Sequence, residues 1–321
     1  MSGCYRIVRI PGPVQRSLPV ACLACKSGEL RIDTGDIPAA HSSAWSGMRE
    51  FAMRRACGRL FVLLAAAMAS SCDSHRVRED RVQVILTGDS TIASITGYGD
   101  ALCARFDALT KCENLARNGR SSKSYRAEGL WDEALAHASE PGYNTFVLVQ
   151  FGHNDQPGKA GRSTTLPEFT TNMRRYVSEV RAAGAIPLLV TPLTRRTFKD
   201  GKLVDGLGPW AEATAAVARE SGTVLLDLHG DSMAAVAALG PVEALSLAEL
   251  PAPEVAVAAA ATGTTVEVEK PSASIPGSHV PMFDYTHLGP KGAQLFSGIV
   301  AAEIARSVPE LASHLRSDSK P

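Results

Sequence analysis

The sequence has no surplus of either charge: 33 lysines and arginines face 33 aspartates and glutamates over 321 residues. Broad nucleic-acid binding needs a basic field, so no nucleic-acid partner is expected. It also lacks cysteines at metal-site spacing. Its seven cysteines are scattered, and Cys22-Leu-Ala-Cys25 has neither a second pair nor a βαβ pattern around it. The apolar run Leu60–Ala69 is too short to cross a bilayer, which takes about 20 residues. What is present is ordinary for a globular chain, 45% apolar and 21% charged, enough for one large domain or two small ones.

Residues 53–72, MRRACGRLFVLLAAAMASSC, read as an export signal rather than a buried helix. Arg54 and Arg55 give a basic start, the apolar run is short, and Ala69, Ser70 and Ser71 form a small-residue exit. Cys72 follows directly, as in a bacterial lipoprotein signal, although Ala69 stands where leucine is usual. The expected location is therefore outside the cytoplasm: periplasmic, secreted, or held at the envelope. Any membrane contact is confined to a lipid anchor at Cys72. Residues 1–52, rich in Pro, Gly, Ser and Arg without sustained periodicity, read as a disordered extension or as sequence upstream of a true start at Met53. Residues 73–80 read as a linker and 81–321 as the folded domain. Export permits a Cys103–Cys112 disulfide, but spacing alone leaves two free thiols equally open.

From residue 81 strands and helices alternate. VQVILTG (82–88), CENLA (112–116), TFVLVQFG (145–152), IPLLVTP (186–192) and TVLLDLHG (223–230) read as strands. Helical spacing follows in AEGLWDEALAHA, LPEFTTNMRRYVSEVRAAG, WAEATAAVARESG and KGAQLFSGIVAAEIARSV. The strands are continuous apolar runs, as parallel strands covered on both faces require. The expected fold is a three-layer α/β/α sandwich with a central, mostly parallel five-stranded sheet. Residues 240–280, rich in Ala, Val, Pro and Thr, read as a low-complexity surface insertion, partly disordered, with a hairpin at TTVEVE as the alternative.

Ligands of such sheets bind beyond the carboxyl ends of the strands. There the sequence places Gly88-Asp89-Ser90, then Asn118-Gly119-Arg120-Ser121-Ser122, then Gly152-His153-Asn154-Asp155, and finally Asp284-Tyr285-Thr286-His287 before the last helix. Ser90 is read as an exposed hydroxyl at a helix N-terminus beside backbone N–H groups, His287 as a base, and Asp284, three residues earlier, as a carboxylate able to fix its tautomer. The N–H groups of Ser90 and Gly119 and the Asn154 amide are donors for an oxyanion. Each alone has a plain structural reading as a cap, a turn or a surface group. Together on one rim they spell nucleophilic ester chemistry.

The ordered blocks GDS, NGRSS, GHND and DYTH resemble those of the SGNH (GDSL-like) hydrolases, over about residues 81–310. GDSTIA, NLARNGRSSKSY, VLVQFGHNDQ and TPLTRR look most like the rhamnogalacturonan acetylesterases, and the absence of a GxSxG motif at Ser90 sets the chain apart from ordinary α/β-hydrolases. The resemblance implies Ser90 as nucleophile, Asp284 and His287 as its partners, Ser90, Gly119 and Asn154 as the oxyanion hole, and no metal or organic cofactor. It implies acetylated polysaccharide or oligosaccharide as substrate. Two features depart from the pattern: Asn118, where a second glycine is expected, and the 240–280 insertion. Arg120, Lys123, Arg195 and Arg196 fall near rim loops and are candidates for binding sugar carboxylates. Trp210 is a candidate for stacking on a sugar, with a core role favoured. His153 and Asp155 are expected to make local hydrogen bonds rather than ligate metal. The rival readings are a lipase or thioesterase of the same superfamily, an acetyltransferase, and a non-catalytic glycan-binding protein on the same fold.

Overall fold

A computed structural model describes residues 81–268 and 280–316. The expected export signal at 53–72 with its Cys72, the expected extension at 1–52, the 73–80 linker and residues 269–279 of the 240–280 stretch lie outside them. Strand β1 (Val82–Gly88) is followed by helix α1 (Gly99–Cys103), β2 (Thr110–Asn114), α2 (Ser124–Ala127), α3 (Leu130–Ala138) and β3 (Asn144–Gln150). Helix α4 (Leu166–Ala182), β4 (Ile186–Val190), the short hairpin strands β5 (Phe198–Lys199) and β6 (Lys202–Leu203), and α5 (Gly208–Ser221) come next. The chain then forms β7 (Val224–Leu226), α6 (Leu228–Glu243), α7 (Glu254–Ala261), α8 (Pro290–Ser307) and α9 (Pro309–Ala312).

Five strands form one parallel sheet in the order β2-β1-β3-β4-β7. Strand residues alternate between two apolar layers, because successive side chains point to opposite faces. Val82, Val84, Leu86, Phe146, Leu148, Leu188 and Val190 pack with Leu102 of α1, Val236 of α6, and Phe296, Val300 and Ile304 of α8. Ile85, Val147, Val149 and Leu189 pack with Tyr125, Trp131 and Ala134 of α2 and α3, Phe169, Met173, Tyr176 and Val180 of α4, and Val217 of α5. The expected three layers are therefore present.

The order reverses at β1: the chain moves outward to β2, then returns across β1 to β3. Connections leave neighbouring strands in opposite directions there, which opens a crevice beyond their carboxyl ends. Gly88 sits at this point. A Cβ on it would lie 2.5 Å from the Gln150 carbonyl oxygen and 2.6 Å from Ile92 Cγ2, so only glycine lets the strand end and the following loop approach so closely.

The first half of the 240–280 stretch departs from the surface-insertion reading. Helix α6 runs through Glu243 with a kink at Gly240, a 3₁₀ turn spans Ala244–Leu247, and α7 follows. Ala244, Leu247, Ala256 and Ala260 are buried. Ala248 bridges Leu288, and the Gly289 N–H donates to the Leu247 carbonyl, so this segment backs the chain just after His287. Among the described residues, 264–268 form no strand of the alternative hairpin. Instead the Thr265 N–H donates to the Phe198 carbonyl of β5. Cys103 and Cys112 form a disulfide joining α1 to β2.

Candidate active site

Ser90 follows β1 in a turn rather than at the expected helix N-terminus, since the first helix begins only at Gly99, and it is buried rather than exposed, with 5% of its surface accessible. Its Oγ lies 2.9 Å from His287 Nε2. His287 Nδ1 lies 2.6 Å from Asp284 Oδ2. An ionised carboxylate only accepts, so Nδ1 carries the imidazole proton and Nε2 is left to accept the Ser90 hydroxyl. Asp284 Oδ1 accepts the backbone N–H of Thr286 at 2.8 Å and of His287 at 2.7 Å. Burial alone would raise the Asp284 pKa. The hydrogen bond and charge of His287 and the two N–H donors outweigh it and hold the carboxyl well below the usual range.

The Asp284–His287 arm is fastened by Arg196. Its backbone N–H donates to Tyr285 O, Nη1 to Thr286 O, and Nη2 to the carbonyls of Asp284 and His287. Every carbonyl of the four-residue loop is thus taken by one residue. Arg196 is 1% exposed, and burial lowers its pKa to about 10, which leaves it charged at neutral pH. This corrects the reading of Arg196 as a substrate contact: its guanidinium is spent on backbone carbonyls and does not face solvent.

The oxyanion candidates are the N–H groups of Ser90 and Gly119 and the Asn154 amide. Gly119 has φ +78°, a left-handed conformation natural to glycine. Among the described residues, no acceptor takes the N–H of Ser90 or of Gly119. Asn154 is buried; its Nδ2 donates to the Arg120 carbonyl at 3.1 Å, and Arg162 Nη1 lies 3.4 Å from its Oδ1. A cation beside Oδ1 fixes which end of the amide is which, leaving Nδ2 as the donor end. Arg162 also donates to the Gly119 carbonyl at 3.0 Å, so it ties two of the three oxyanion elements together. Nothing in its sequence context, GKAGRS, marks it for this place.

The floor of the site is polar and buried. Tyr98 donates to Gln150 Oε1, Gln150 Nε2 to Thr91 Oγ1 at 2.6 Å, and Thr91 Oγ1 to Asp89 Oδ1 at 2.7 Å. This chain locks the turn that carries Ser90. Asn118, the departure from the family pattern, is an anchor too: Thr96 Oγ1 lies 2.9 Å from its Oδ1 and 2.7 Å from the Ser90 carbonyl. His153 is buried with Nδ1 at 3.4 Å from Asp89 Oδ2, without hydrogen-bond geometry. Burial pushes its pKa down despite the nearby carboxylate, so it stands as a neutral ring. Asp155 accepts from the Ser122 N–H and hydroxyl and from Thr164, and burial pushes its pKa up to about 6. Among the described residues, no three His, Cys, Asp or Glu side chains converge on a metal position.

The other predicted substrate contacts separate. Arg120 donates from Nε and Nη2 to the single Oε2 of Glu128, at 2.9 Å and 2.7 Å, and from Nη1 to the Asn118 carbonyl. Lys123 is exposed on the loop before α2. Trp210 packs partly buried against the core beside Gly152. Arg195 lines a cavity with Asp284, Tyr285 and Thr286.

The sequence profile of the GDSL-like lipase/acylhydrolase family matches residues 86–295. Rhamnogalacturonan acetylesterase RhgT of Bacillus subtilis (strain 168) is 31% identical over 175 residues, covering 52% of this chain and 73% of that protein. The probable rhamnogalacturonan acetylesterase YesY of the same organism is 30% identical over 159 residues, covering 47% and 72%. The crystal structure of B. subtilis protein YxiM shares the fold, with a TM-score of 0.53 and 24% identity; the match covers 70% of this chain and 56% of that one.

Proposed function

The chain belongs to the GDSL-like lipase/acylhydrolase family and is a carboxylic-ester hydrolase, and from that premise we propose that it removes O-acetyl groups from carbohydrate, of the pectic rhamnogalacturonan type, through an acetyl-serine intermediate. The observation that carries the chemistry is the unbroken contact from Ser90 through His287 to Asp284. The names of the two relatives at 30–31% identity support the substrate.

In this reading Ser90 Oγ attacks the acetyl carbonyl while its proton passes to His287 Nε2. Asp284 stabilises the imidazolium and, with its Oδ1 held by two N–H groups, keeps the ring aimed at the hydroxyl. The carbonyl oxygen becomes an oxyanion and accepts from the Ser90 and Gly119 N–H groups and from Asn154 Nδ2. The carbon–oxygen bond to the sugar breaks, and the proton on His287 goes to the leaving sugar oxygen. Water then gives its proton to His287 and attacks acetyl-Ser90; acetate leaves and the serine regains its proton. Arg196 and Arg162 act as positioning residues, the first on the imidazole side and the second on the oxyanion side.

Acetate release from acetylated pectin, acetylated xylan and small acetyl esters, with Ser90→Ala as control, tests this. Acetate is expected from the pectic polymer with wild type and not with the variant. Wild-type turnover confined to long-chain acyl esters would contradict the acetylesterase reading.

A further inference from the structure

Resting on that esterase reading, we propose that Arg195 is the cationic centre of an anion subsite beside the triad, one that takes the carboxylate of an acidic sugar next to the acetylated one. The cavity measures about 330 Å³, and its lining includes Arg195, Thr197, Glu267, Phe283, Asp284 and Tyr285. That volume lies within the range of small-molecule sites, roughly 300–1,000 Å³. Asp284 forms part of its wall, so the cavity opens next to the residue that orients His287.

Three observations point to an anionic ligand. First, Arg195 is half-buried, yet among the described residues its guanidinium makes no hydrogen bond or ion pair. A desolvated cation with no hydrogen-bonded counter-ion is costly, and a ligand carboxylate in direct contact lowers that cost. Second, the nearby acids Asp89 and Asp284 act on Arg195 only through their charge, without a hydrogen bond or ion pair to it. Both Asp284 oxygens are engaged by N–H donors, Asp89 is held by Thr91 and faces His153, and Glu267 is exposed. Third, the remaining walls suit a sugar: Phe283 and Tyr285 meet edge to face at 5.2 Å, and of the three lining threonines only Thr265 has its hydroxyl engaged among the described residues, on the Phe198 backbone, leaving Thr197 and Thr286 beside them. A single planar guanidinium matches a planar carboxylate, as a fork of two parallel hydrogen bonds. The adjacent Arg196 is fully engaged elsewhere, so the Arg195-Arg196 pair divides its labour: one side chain holds the triad and the other meets the substrate.

The test compares two O-acetylated galacturonate oligosaccharides that differ only in free against methyl-esterified carboxylates. Wild type should favour the free acid, and Arg195→Gln should lower the acid-to-ester ratio of kcat/KM by about 10-fold or more, mainly through KM. Arg195→Lys should restore part of the preference. A ratio that stays the same in Arg195→Gln overturns the subsite. A second arm needs no acetyl transfer from sugar: unacetylated digalacturonate should inhibit p-nitrophenyl acetate hydrolysis competitively, with Ki about 10-fold higher in Arg195→Gln. Equal Ki values overturn the subsite. Selective inhibition of wild type, with no acetate released from either oligosaccharide, would leave the subsite standing and remove the carbohydrate-ester reading instead.

Discussion

Replacing Arg196 by methionine removes a guanidinium that is 1% exposed and donates three side-chain hydrogen bonds, at 3.2, 2.9 and 2.8 Å, to the carbonyls of Thr286, Asp284 and His287. Methionine has similar reach and cannot donate, so three carbonyls lose their partner while much of the volume is kept. Breaking a buried, charged network of this kind costs about 3–5 kcal/mol. A loss of that size is readable as a lower urea midpoint. The damage is also directional. The loop that relaxes carries both Asp284 and His287, and a displacement near 1 Å of a catalytic group costs on the order of 100-fold. The expected result for folded Arg196→Met is therefore a kcat on p-nitrophenyl acetate lower by about 10- to 100-fold, with labelling of Ser90 by a fluorophosphonate slowed in parallel. Arg196→Lys keeps the charge but presents one nitrogen instead of a fork, so it should fall between the two. A folded Arg196→Met protein with stability within about 1 kcal/mol of wild type and kcat within twofold would refute the strap.

Asn154→Ala removes one oxyanion donor and should lower kcat by about 100- to 1000-fold with little change in KM, as measured on p-nitrophenyl acetate; near-normal turnover would remove that role. Reducing the disulfide, or replacing Cys103 and Cys112 by serine, opens a loop of sequence separation 9 and should lower unfolding free energy by about 3 kcal/mol in urea titrations. Asp155, with its pKa raised from 3.8 to about 6, binds its proton more tightly folded than unfolded. Its contribution to stability is thus fullest in acid and falls as pH rises from 3.8 to about 6, by roughly 3 kcal/mol at 1.36 kcal/mol per unit. Asp155→Asn should accordingly destabilise the protein more at pH ~4.5 than at pH ~7, and the opposite order would contradict the raised pKa.

The parts of the fold that show in the sequence are those written in side chains. Val82–Gly88, Asn144–Gln150 and Ile186–Val190 each centre on consecutive apolar residues (84–86, 146–149 and 186–190) because both faces of the sheet are covered. Helix α4 announces itself through Thr165 and Glu168, which form a reciprocal cap ahead of helical spacing. The four motif blocks show as well, since a strand end that carries Gly-Asp-Ser or His-Asn-Asp has no apolar purpose. What stays hidden is held by the backbone. Helix α6 begins at Leu228, directly after β7, so DLHG reads as more strand; its Asp227 cap, which accepts the Gly230 N–H, falls inside the apolar run. The partners of Arg196 are carbonyls 88 to 91 residues away, which no residue type encodes, and a rim arginine is the natural reading of such a side chain. Arg162 is hidden for the same reason. Arg120 looks free because Glu128, its partner, lies at no regular helical spacing from it. The alanine-rich stretch after Gly240 looks like filler because Ala256 and Ala260 are small, yet small residues are what let α7 sit close against its neighbours.

The contact that everything else serves is the one between the Ser90 hydroxyl and the His287 imidazole. Peptide mapping after treatment with a fluorophosphonate reads it directly. One adduct per chain, on Ser90, forming about 1,000-fold or more faster in wild type than in His287→Ala, is the expected result. An adduct on another residue, or labelling of Ser90 at the same rate without the imidazole, would contradict it.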